Sequence, residues 1–193
     1  MNHRITLTLL ATLALLGGCA NQPHQLILKP VETQVSQALP SHLSLSVSSR
    51  DLRSETYLGR ITEAGEPALL LNATVNPRQL FEDGLRQGLA QQGYAVSADQ
   101  GDVAIALQLD RLVVDVEQFT LKHSGNSEAA ITLVLSNAKQ QLTKRFSAKG
   151  SFNGVMAVEA SEMETHLNQQ VQQLLNAVLK DQEIQQFIQG SEA

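Results

Sequence analysis

The strongest β-strand signal in the chain is the stretch VAIALQLDRLVVDV, residues 103–116. Apolar side chains alternate from Val103 to Leu109, and they alternate again in the other phase from Leu112 to Val116. A period of two places such side chains on one face of a sheet, and the change of phase at Asp110 predicts a β-bulge or bend there. The stretch therefore predicts a long strand with one buried face.

Two further alternating runs follow and are joined to this stretch by short loops. They cover residues 129–135 and 142–152, with Lys144 interrupting the apolar phase of the second. Three consecutive runs of this kind predict an antiparallel meander with one polar face. Upstream, residues 43–48 alternate leucine or valine with serine and predict another half-buried strand.

Helix signals lie on both sides of the predicted meander. Asn76 as N-cap, Pro77 at the first helical position and Gly93 after the last turn frame a helix with a regular apolar stripe. Gly84 and Gly88 lie beside that stripe. Glycine costs a helix about 1 kcal/mol relative to alanine, so their presence predicts close approach of another element.

A second helix is predicted to begin at Ser161, where Glu164 would complete a capping box. A final helical turn or two, carrying Ile184, Phe187 and Ile188, is expected to dock after it. The patterns together predict one α+β domain over residues 41–190, an antiparallel β-sheet meander with two α-helices packed on one face.

The amino-terminal residues are typical of a secretory signal. Arg4 supplies the positive charge, and an apolar run follows over residues 5–16. This run is shorter than the ~20 residues that a membrane-spanning helix needs. We therefore expect residues 1–18 to be removed and the mature protein to have no transmembrane helix.

The sequence Leu16-Gly17-Gly18-Cys19 resembles the bacterial lipobox. The resemblance implies cleavage between Gly18 and Cys19, diacylglycerol on the Cys19 thiol and acylation of the freed amine. Two or more acyl chains make membrane attachment stable. An aspartate directly after the lipidated cysteine resembles an inner-membrane retention signal, and this chain has Ala20 at that position. We therefore expect the protein to be anchored in the outer membrane, with the domain on its periplasmic face.

Residues 19–40 combine the lipidated amino terminus with a predicted tether. Pro23, Pro30 and Pro40 favour an extended chain, which could reach up to ~70 Å. Residues 26–31 are too apolar for a pure linker, so a short edge strand remains the alternative.

Composition excludes some classes of function. The formal net charge of −5 becomes −6 when Arg4 is lost with the signal peptide, and the chain contains no tryptophan. Proteins that bind nucleic acid need a basic stripe and stacking aromatic rings, so we do not expect this chain to bind nucleic acid. The single cysteine forms no internal disulfide, and the five histidines lack metal-ligand spacing.

No catalytic, cofactor or metal site is expected. Asp110, Asp115 and Glu117 are interpreted as part of a solvated strand face. The cluster of Arg50, Asp51 and Arg53 is the best surface candidate for an anionic ligand. A local ion pair in a solvated loop is the favoured interpretation of that cluster.

The order of several segments resembles the YajG family of uncharacterised Gram-negative lipoproteins. These segments are residues 16–19, 51–53, 58–59, 80–89, 93–96 and 184–188. The resemblance implies an outer-membrane lipoprotein of unknown activity, and it supplies no catalytic residues.

The expected function is a non-enzymatic interaction or accessory role in the cell envelope. Its partners would be the membrane, through acyl chains on Cys19, and an envelope protein bound at an exposed sheet edge or loop. The alternative is a binding module for a glycan, a lipid or a peptidoglycan fragment.

Overall fold

A computed structural model describes residues 25–32 and 42–192 of the chain. The strands are β1 (Gln25–Leu26), β2 (Ser44–Asp51), β3 (Gly59–Glu63), β4 (Leu69–Ala73), β5 (Ala95–Ser97), β6 (Val103–Gln118), β7 (Lys122–Ser136) and β8 (Gln141–Val155). The helices are α1 (Pro77–Gln91), α2 (Ala160–Leu179) and α3 (Gln182–Gln189), with a short 3-10 turn over Gly190–Glu192.

The eight strands of the described residues form one mixed sheet, and β6 lies in its interior, paired with β7, β2 and β3. One edge of β6 pairs antiparallel with β7, and β8 extends the sheet antiparallel to β7. Its other edge is shared end to end by two parallel strands, β2 along the first half and β3 along the second. Beyond these, β5 pairs parallel with β2, β4 pairs antiparallel with β3, and β1 pairs parallel with β4.

The predicted antiparallel meander is confirmed for β6, β7 and β8 but is wrong for the sheet as a whole. A parallel neighbour needs a long crossover, because the chain must return to the same end of the sheet. The segment between β2 and β6, which includes α1, provides that crossover. Alternation in residues 43–48 specifies a half-buried strand but not the direction of its partner, so the parallel pairing was missed.

The helices bury the apolar face of this sheet. Helices α1 and α2 contact each other and both contact β6, while α3 packs against the end of α2. The described residues form the two predicted helices and a third, α3, which is the short docked helical segment expected at Ile184, Phe187 and Ile188. The apolar residues of all three helices join those of the sheet in one core.

The predicted irregularity in β6 is confirmed. The register between β6 and β7 shifts between Leu109 and Arg111. Apolar residues on both sides of the shift, such as Leu109 and Leu112, are therefore buried on the same face.

Helix α1 has the predicted ends. The Asn76 side chain accepts a hydrogen bond of 3.0 Å from the backbone N–H of Arg78, and Gly93 has a φ of 92°. A Cβ on Gly84 would lie 2.7 Å from Leu175 Cδ1, and one on Gly88 would overlap the Leu179 side chain. The predicted close approach is therefore made to α2.

Helix α2 begins at Ala160, one residue before the predicted start at Ser161, and the predicted capping box is wrong. The N-cap of α2 is Glu159, and Ser161 lies inside the first turn. Glu164 does not close a capping box on Ser161, because its Oε1 accepts a hydrogen bond of 2.8 Å from the backbone N–H of Ile27. The carboxylate thus holds a distant segment of the chain in place.

Candidate functional site

The predicted lipidation site, Cys19, and the cleavage position at Gly18 lie outside the described residues, as does Ala20. Description of the chain begins at Gln25, six positions after Cys19.

Segment 25–32 is docked on the domain rather than free of it. Leu26, Leu28 and Val31 are buried in the core, and β1 pairs with β4. The sequence left open whether this segment forms a strand or a tether, and the structure has a strand followed by packed chain. Its apolar side chains supply the reason, because burying each one is worth roughly 1.5–3 kcal/mol.

The polar face of α2 also binds the backbone of this segment. Asn168 accepts a hydrogen bond of 2.8 Å from Lys29 N–H and donates one of 3.1 Å to the carbonyl of Ile27. Gln172 Nε2 donates to the carbonyl of Glu32 at 2.6 Å. Residues 25–32 are therefore held by both apolar packing and side-chain hydrogen bonds.

The three residues of the predicted anion-binding cluster, Arg50, Asp51 and Arg53, have different environments in the structure. Arg53 donates two hydrogen bonds to the Asp51 carboxylate, at 2.9 and 2.8 Å, while Arg50 is exposed. These hydrogen bonds from Arg53 hold the pKa of Asp51 below its usual range, although partial burial opposes the shift. The Arg53 charge is thus already paired, which weakens the cluster as a site for an anion.

A second arginine cluster, which sequence reasoning missed, joins α1 to β2. Glu82 binds Arg78 and Arg86 at 2.9 Å each, one helical turn away on either side. Arg78 also donates to Ser49 Oγ at 2.6 Å, and Arg86 donates to the carbonyl of Val47. The spacing of four residues between these charges was a readable signal. The cluster fastens a helix to a strand.

The carboxylates of β6 have separate environments. Asp115 binds Arg60 at 2.8 Å, Asp110 accepts a hydrogen bond of 2.7 Å from Thr132 Oγ1, and Glu117 is exposed. Over residues 25–32 and 42–192, no group of three or more acidic, histidine or cysteine side chains is placed to hold a metal ion.

A buried polar layer lies between α2 and the β7–β8 hairpin. Gln170 donates to Ser127 Oγ at 2.6 Å, and both side chains are buried. His123 is also buried, with Nε2 3.0 Å from Glu162 and Nδ1 3.1 Å from the carbonyl of Met156. His123 and Ser127 continue the phase of residues 129–135, so the period of two could have revealed their burial.

Lys144, the residue that interrupts the apolar phase of β8, holds the junction of α2 and α3. Its Nζ lies 2.8 Å from Asp181 and 2.8 Å from Glu183, and Asp181 also caps α3 by accepting from Ile184 N–H. Burial alone would raise the pKa of Asp181. The hydrogen bonds from Lys144 and Ile184 outweigh burial and hold that pKa below its usual range.

We expect Asp181→Asn to lower the free energy of unfolding at pH 7 and to have less effect in acid. A carboxyl group whose pKa is depressed by folding stabilises the fold above its unfolded pKa of about 3.9, and that stability is lost as the pH falls through the folded pKa. Asparagine caps a helix as well as aspartate does, so the substitution isolates the ion pair. Urea unfolding at several pH values measures the effect.

The exposed Asp99→Asn is the matched control, since it removes one carboxylate from a surface turn. A difference between Asp181→Asn and the unmodified protein that stayed constant down to pH 3 would contradict the role given to the ion pair.

Several grooves lie on the described surface. Four of them have volumes between 200 and 320 Å³, and the most apolar, of 260 Å³, lies between segment 28–30 and the start of α1. Pockets for small ligands usually measure ~300–1,000 Å³ and bury most of the ligand. These four grooves therefore lie at or below the lower end of the range for small-ligand pockets.

The outer edge of β8 is the most extensive open feature of the sheet. This strand has 15 residues and, among the described strands, pairs only with β7. Arg145 and Lys149 extend from it with side-chain exposures of 66% and 74%. Edge strands that carry such charges are protected from indiscriminate pairing, but they still present unpaired backbone groups.

Comparison with known proteins identifies a family and a shared fold. A family model described as "Uncharacterized lipoprotein" matches residues 30–189. No curated protein matches the sequence. None of the helices in the described part of the chain is long and apolar enough to cross a membrane.

Three solved structures illustrate the fold comparison. The Xanthomonas campestris protein XCC0632 is 13% identical with a TM-score of 0.59, covering 87% of this chain and 98% of that one. A Helicobacter pylori homologue of neuraminyllactose-binding hemagglutinin is 12% identical with a TM-score of 0.51, covering 86% and 97%. Rare lipoprotein B from Shewanella oneidensis is 12% identical with a TM-score of 0.42, covering 78% and 99%. At these identities the first two show a shared fold alone.

Proposed function

The chain belongs to the family of uncharacterised lipoproteins, and from that premise we propose a lipid-anchored accessory protein of the cell envelope without enzymatic activity. Acyl chains on Cys19 would hold it in the outer membrane, with the domain on the periplasmic face. The resemblance to the YajG family supports this narrower assignment. Its partner would be another envelope protein.

The pairing of polar groups in the domain supports a role other than catalysis. The charged side chains of Arg53, Glu82 and Lys144 each bind an opposite charge within the domain. An enzyme instead directs perturbed titratable groups into a cleft, where they remain available to a substrate. Lys144 joins β8 to the junction of α2 and α3, while Arg78 and Arg86 join α1 to β2 through hydrogen bonds to Ser49 and Val47.

The open edge of β8 is the observation that carries the proposal of a protein partner. An extended segment of another protein can add to such an edge through backbone hydrogen bonds, which give affinity without a deep pocket. Arg145 and Lys149 lie on the same face, because positions four apart in a strand do so. Arg145 lies 3.8 Å from Asp110 and Lys149 lies 3.1 Å from Glu128, so only part of their positive charge is available to acidic side chains of a partner strand.

We expect a photo-crosslinking amino acid at Ser147 to trap one specific envelope protein in intact cells. Ser147 is exposed and lies between Arg145 and Lys149 on β8. The matched control places the same group at Gln173, an exposed position on α2. Mass spectrometry of the crosslinked species identifies the partner.

Trapping the same abundant proteins from both positions would contradict recognition at the β8 edge. It would favour the alternative, a binding module for a glycan, a lipid or a peptidoglycan fragment. The groove of 260 Å³ beside α1 is the best place on the described surface for such a ligand, and its small volume makes this the second choice.

A further inference from the structure

Four large apolar side chains are exposed together at one end of the sheet. Phe119 and Leu121 come from the turn between β6 and β7, and Val155 and Met156 come from the end of β8. Their exposures are 45%, 71%, 81% and 63%, respectively. We call these four residues the apolar tip. An exposed apolar cluster on a folded domain usually marks a surface that contacts something else.

The backbone of the apolar tip is internally hydrogen-bonded. Phe119 N–H donates to the carbonyl of Lys122 at 2.8 Å, and Met156 N–H donates to the carbonyl of Leu121 at 2.9 Å. Gln118 Nε2 lies within hydrogen-bond distance of three carbonyls, those of Phe119, Lys122 and Met156, at 2.7, 3.3 and 3.2 Å. These hydrogen bonds hold the two segments of the tip together while its four apolar side chains are exposed.

This combination suits a lipid surface. Where water is scarce, main-chain polar groups must find partners within the protein, and the amides of Phe119 and Met156 and the carbonyls of Leu121 and Lys122 do so. Lys122 Nζ lies 5.4 Å from the centre of the Phe119 ring. An aromatic ring with a lysine beside it is common at membrane interfaces, because the lysine stem lies along apolar surface while the ammonium stays in water.

The strand register shows toward which end of the sheet the amino end of β1 points. Strand β1 is parallel to β4, and the amino end of β4, at Leu69, lies beside Ile61 of β3. Ile61 in turn lies beside Val116, three residues before the apolar tip begins at Phe119. The amino end of β1 therefore points toward the end of the sheet that carries the tip.

The length of chain before β1 matches the distance to the tip. Leu71 of β4 pairs with Gly59 of β3, which in turn pairs with Val114 of β6. Gln25 pairs with Asn72, which is one residue farther from the tip than Leu71. Gln25 is thus about six residues from Phe119 along the strands, or ~20 Å. Six residue steps separate Cys19 from Gln25 and can also span ~20 Å. A lipid on Cys19 can therefore reach the level of the tip and little further.

We propose that the apolar tip rests in the interface of the bilayer that holds the lipid on Cys19. The inference rests on the proposed lipid anchor and adds the orientation of the domain and a second membrane contact. The docked segment 25–32 replaces the tether of up to ~70 Å that the sequence alone allowed. Held this close, four apolar side chains lower their free energy by entering the interfacial region. The exposed Glu117 beside the tip limits the contact to shallow insertion.

The chain contains no tryptophan, so one introduced residue gives an unambiguous fluorescence signal. We would purify full-length lipidated Leu121→Trp and reconstitute it in neutral phosphatidylcholine vesicles with or without brominated acyl chains. The matched control is Gln140→Trp, an exposed position in the turn between β7 and β8 at the opposite end of the sheet. Bromine quenches tryptophan only at short range.

We expect brominated lipid to reduce the fluorescence of Leu121→Trp about twofold, since interfacial segments are buried ~5–10 Å, and to leave Gln140→Trp nearly unchanged. Flotation of each sample with its vesicles reports the anchor separately. If Leu121→Trp floats but is not quenched, the tip proposal is overturned while the anchor stands. Failure to float overturns both.

A third outcome distinguishes a protein occupant. A blue shift of Leu121→Trp that depends on protein concentration and persists without vesicles would mean that the tip packs against a second copy of the chain. That result would also overturn the membrane proposal.

Discussion

Replacing Cys19 with serine is expected to move the protein from the membrane pellet to the soluble periplasmic fraction. Each buried methylene of an acyl chain contributes about 0.8 kcal/mol, so loss of the lipid removes most of the membrane affinity. None of the helices within residues 25–32 and 42–192 could replace it as a membrane span. Cys19 is the only cysteine, so labelling with radioactive palmitate should disappear with the substitution.

The apolar tip does not weaken this expectation. Four side chains that insert shallowly give reversible attachment, and the domain carries a net negative charge that anionic lipids repel. Stable anchoring needs the acyl chains, and the tip orients a domain that is already anchored. A Cys19→Ser protein that stayed in the pellet after a salt wash would contradict this assignment.

Ala20→Asp is the matched variant for the choice of membrane. It leaves Cys19 in place, and palmitate labelling should be unchanged. Because aspartate after the lipidated cysteine resembles an inner-membrane retention signal, we expect the protein to move to the density of the inner membrane. No change in density would count against the outer-membrane assignment.

Leu26→Ala is expected to release the amino-terminal segment and to lower the free energy of unfolding by about 2–5 kcal/mol, the usual cost of truncating a buried leucine. Leu26 is fully buried, whereas the neighbouring Ile27 is 52% exposed. Ile27→Ala is therefore a control of similar chemistry one position away, with an expected effect within about 0.5 kcal/mol. Urea unfolding measures both variants.

Hydrogen exchange separates release of the segment from general loss of stability. The amides of Ile27 and Lys29 donate to Glu164 and Asn168, so they should be protected in the unmodified protein. In Leu26→Ala they should exchange earlier than the amides of β6 and β7, because small units of structure can open on their own. Equal effects of Leu26→Ala and Ile27→Ala would show that the docked segment adds little.

Release of this segment should also weaken the contact between the apolar tip and the membrane. With residues 25–32 detached, the free chain after Cys19 would lengthen by several residues, and the apolar tip would no longer be confined near the bilayer. Combining Leu26→Ala with Leu121→Trp should therefore reduce the quenching by brominated lipid while flotation is retained.

Local patterns in the sequence were sufficient for much of the fold. The alternation from Val103 to Val116 gave β6 and its bulge, and the two runs after it gave β7 and β8. Asn76, Pro77 and Gly93 gave the ends of α1. These features depend on contacts within a few residues, so they can be read without knowing the rest of the chain.

Patterns that involve distant partners were misread or missed. Glu164 has the spacing of a capping box, but it binds the backbone of Ile27, 137 residues away. In the sequence, Lys144 only interrupts the apolar alternation of β8, and the structure shows that it pairs with Asp181. His123 and Ser127 continue an apolar phase, and their burial depends on α2 lying across them.

Local patterns in the sequence predicted a mixed α+β fold and the candidate lipid anchor at Cys19. They also predicted a strand-rich centre around residues 103–152. The parallel pairing of β2 and β3 with β6 and the packing of residues 25–32 against α2 emerged only in the folded structure. The folded structure also brings Phe119, Leu121, Val155 and Met156 together at one end of the sheet. The physical reason is that periodicity records which side of an element is buried, whereas direction, order and distant pairing come from packing against partners far along the chain.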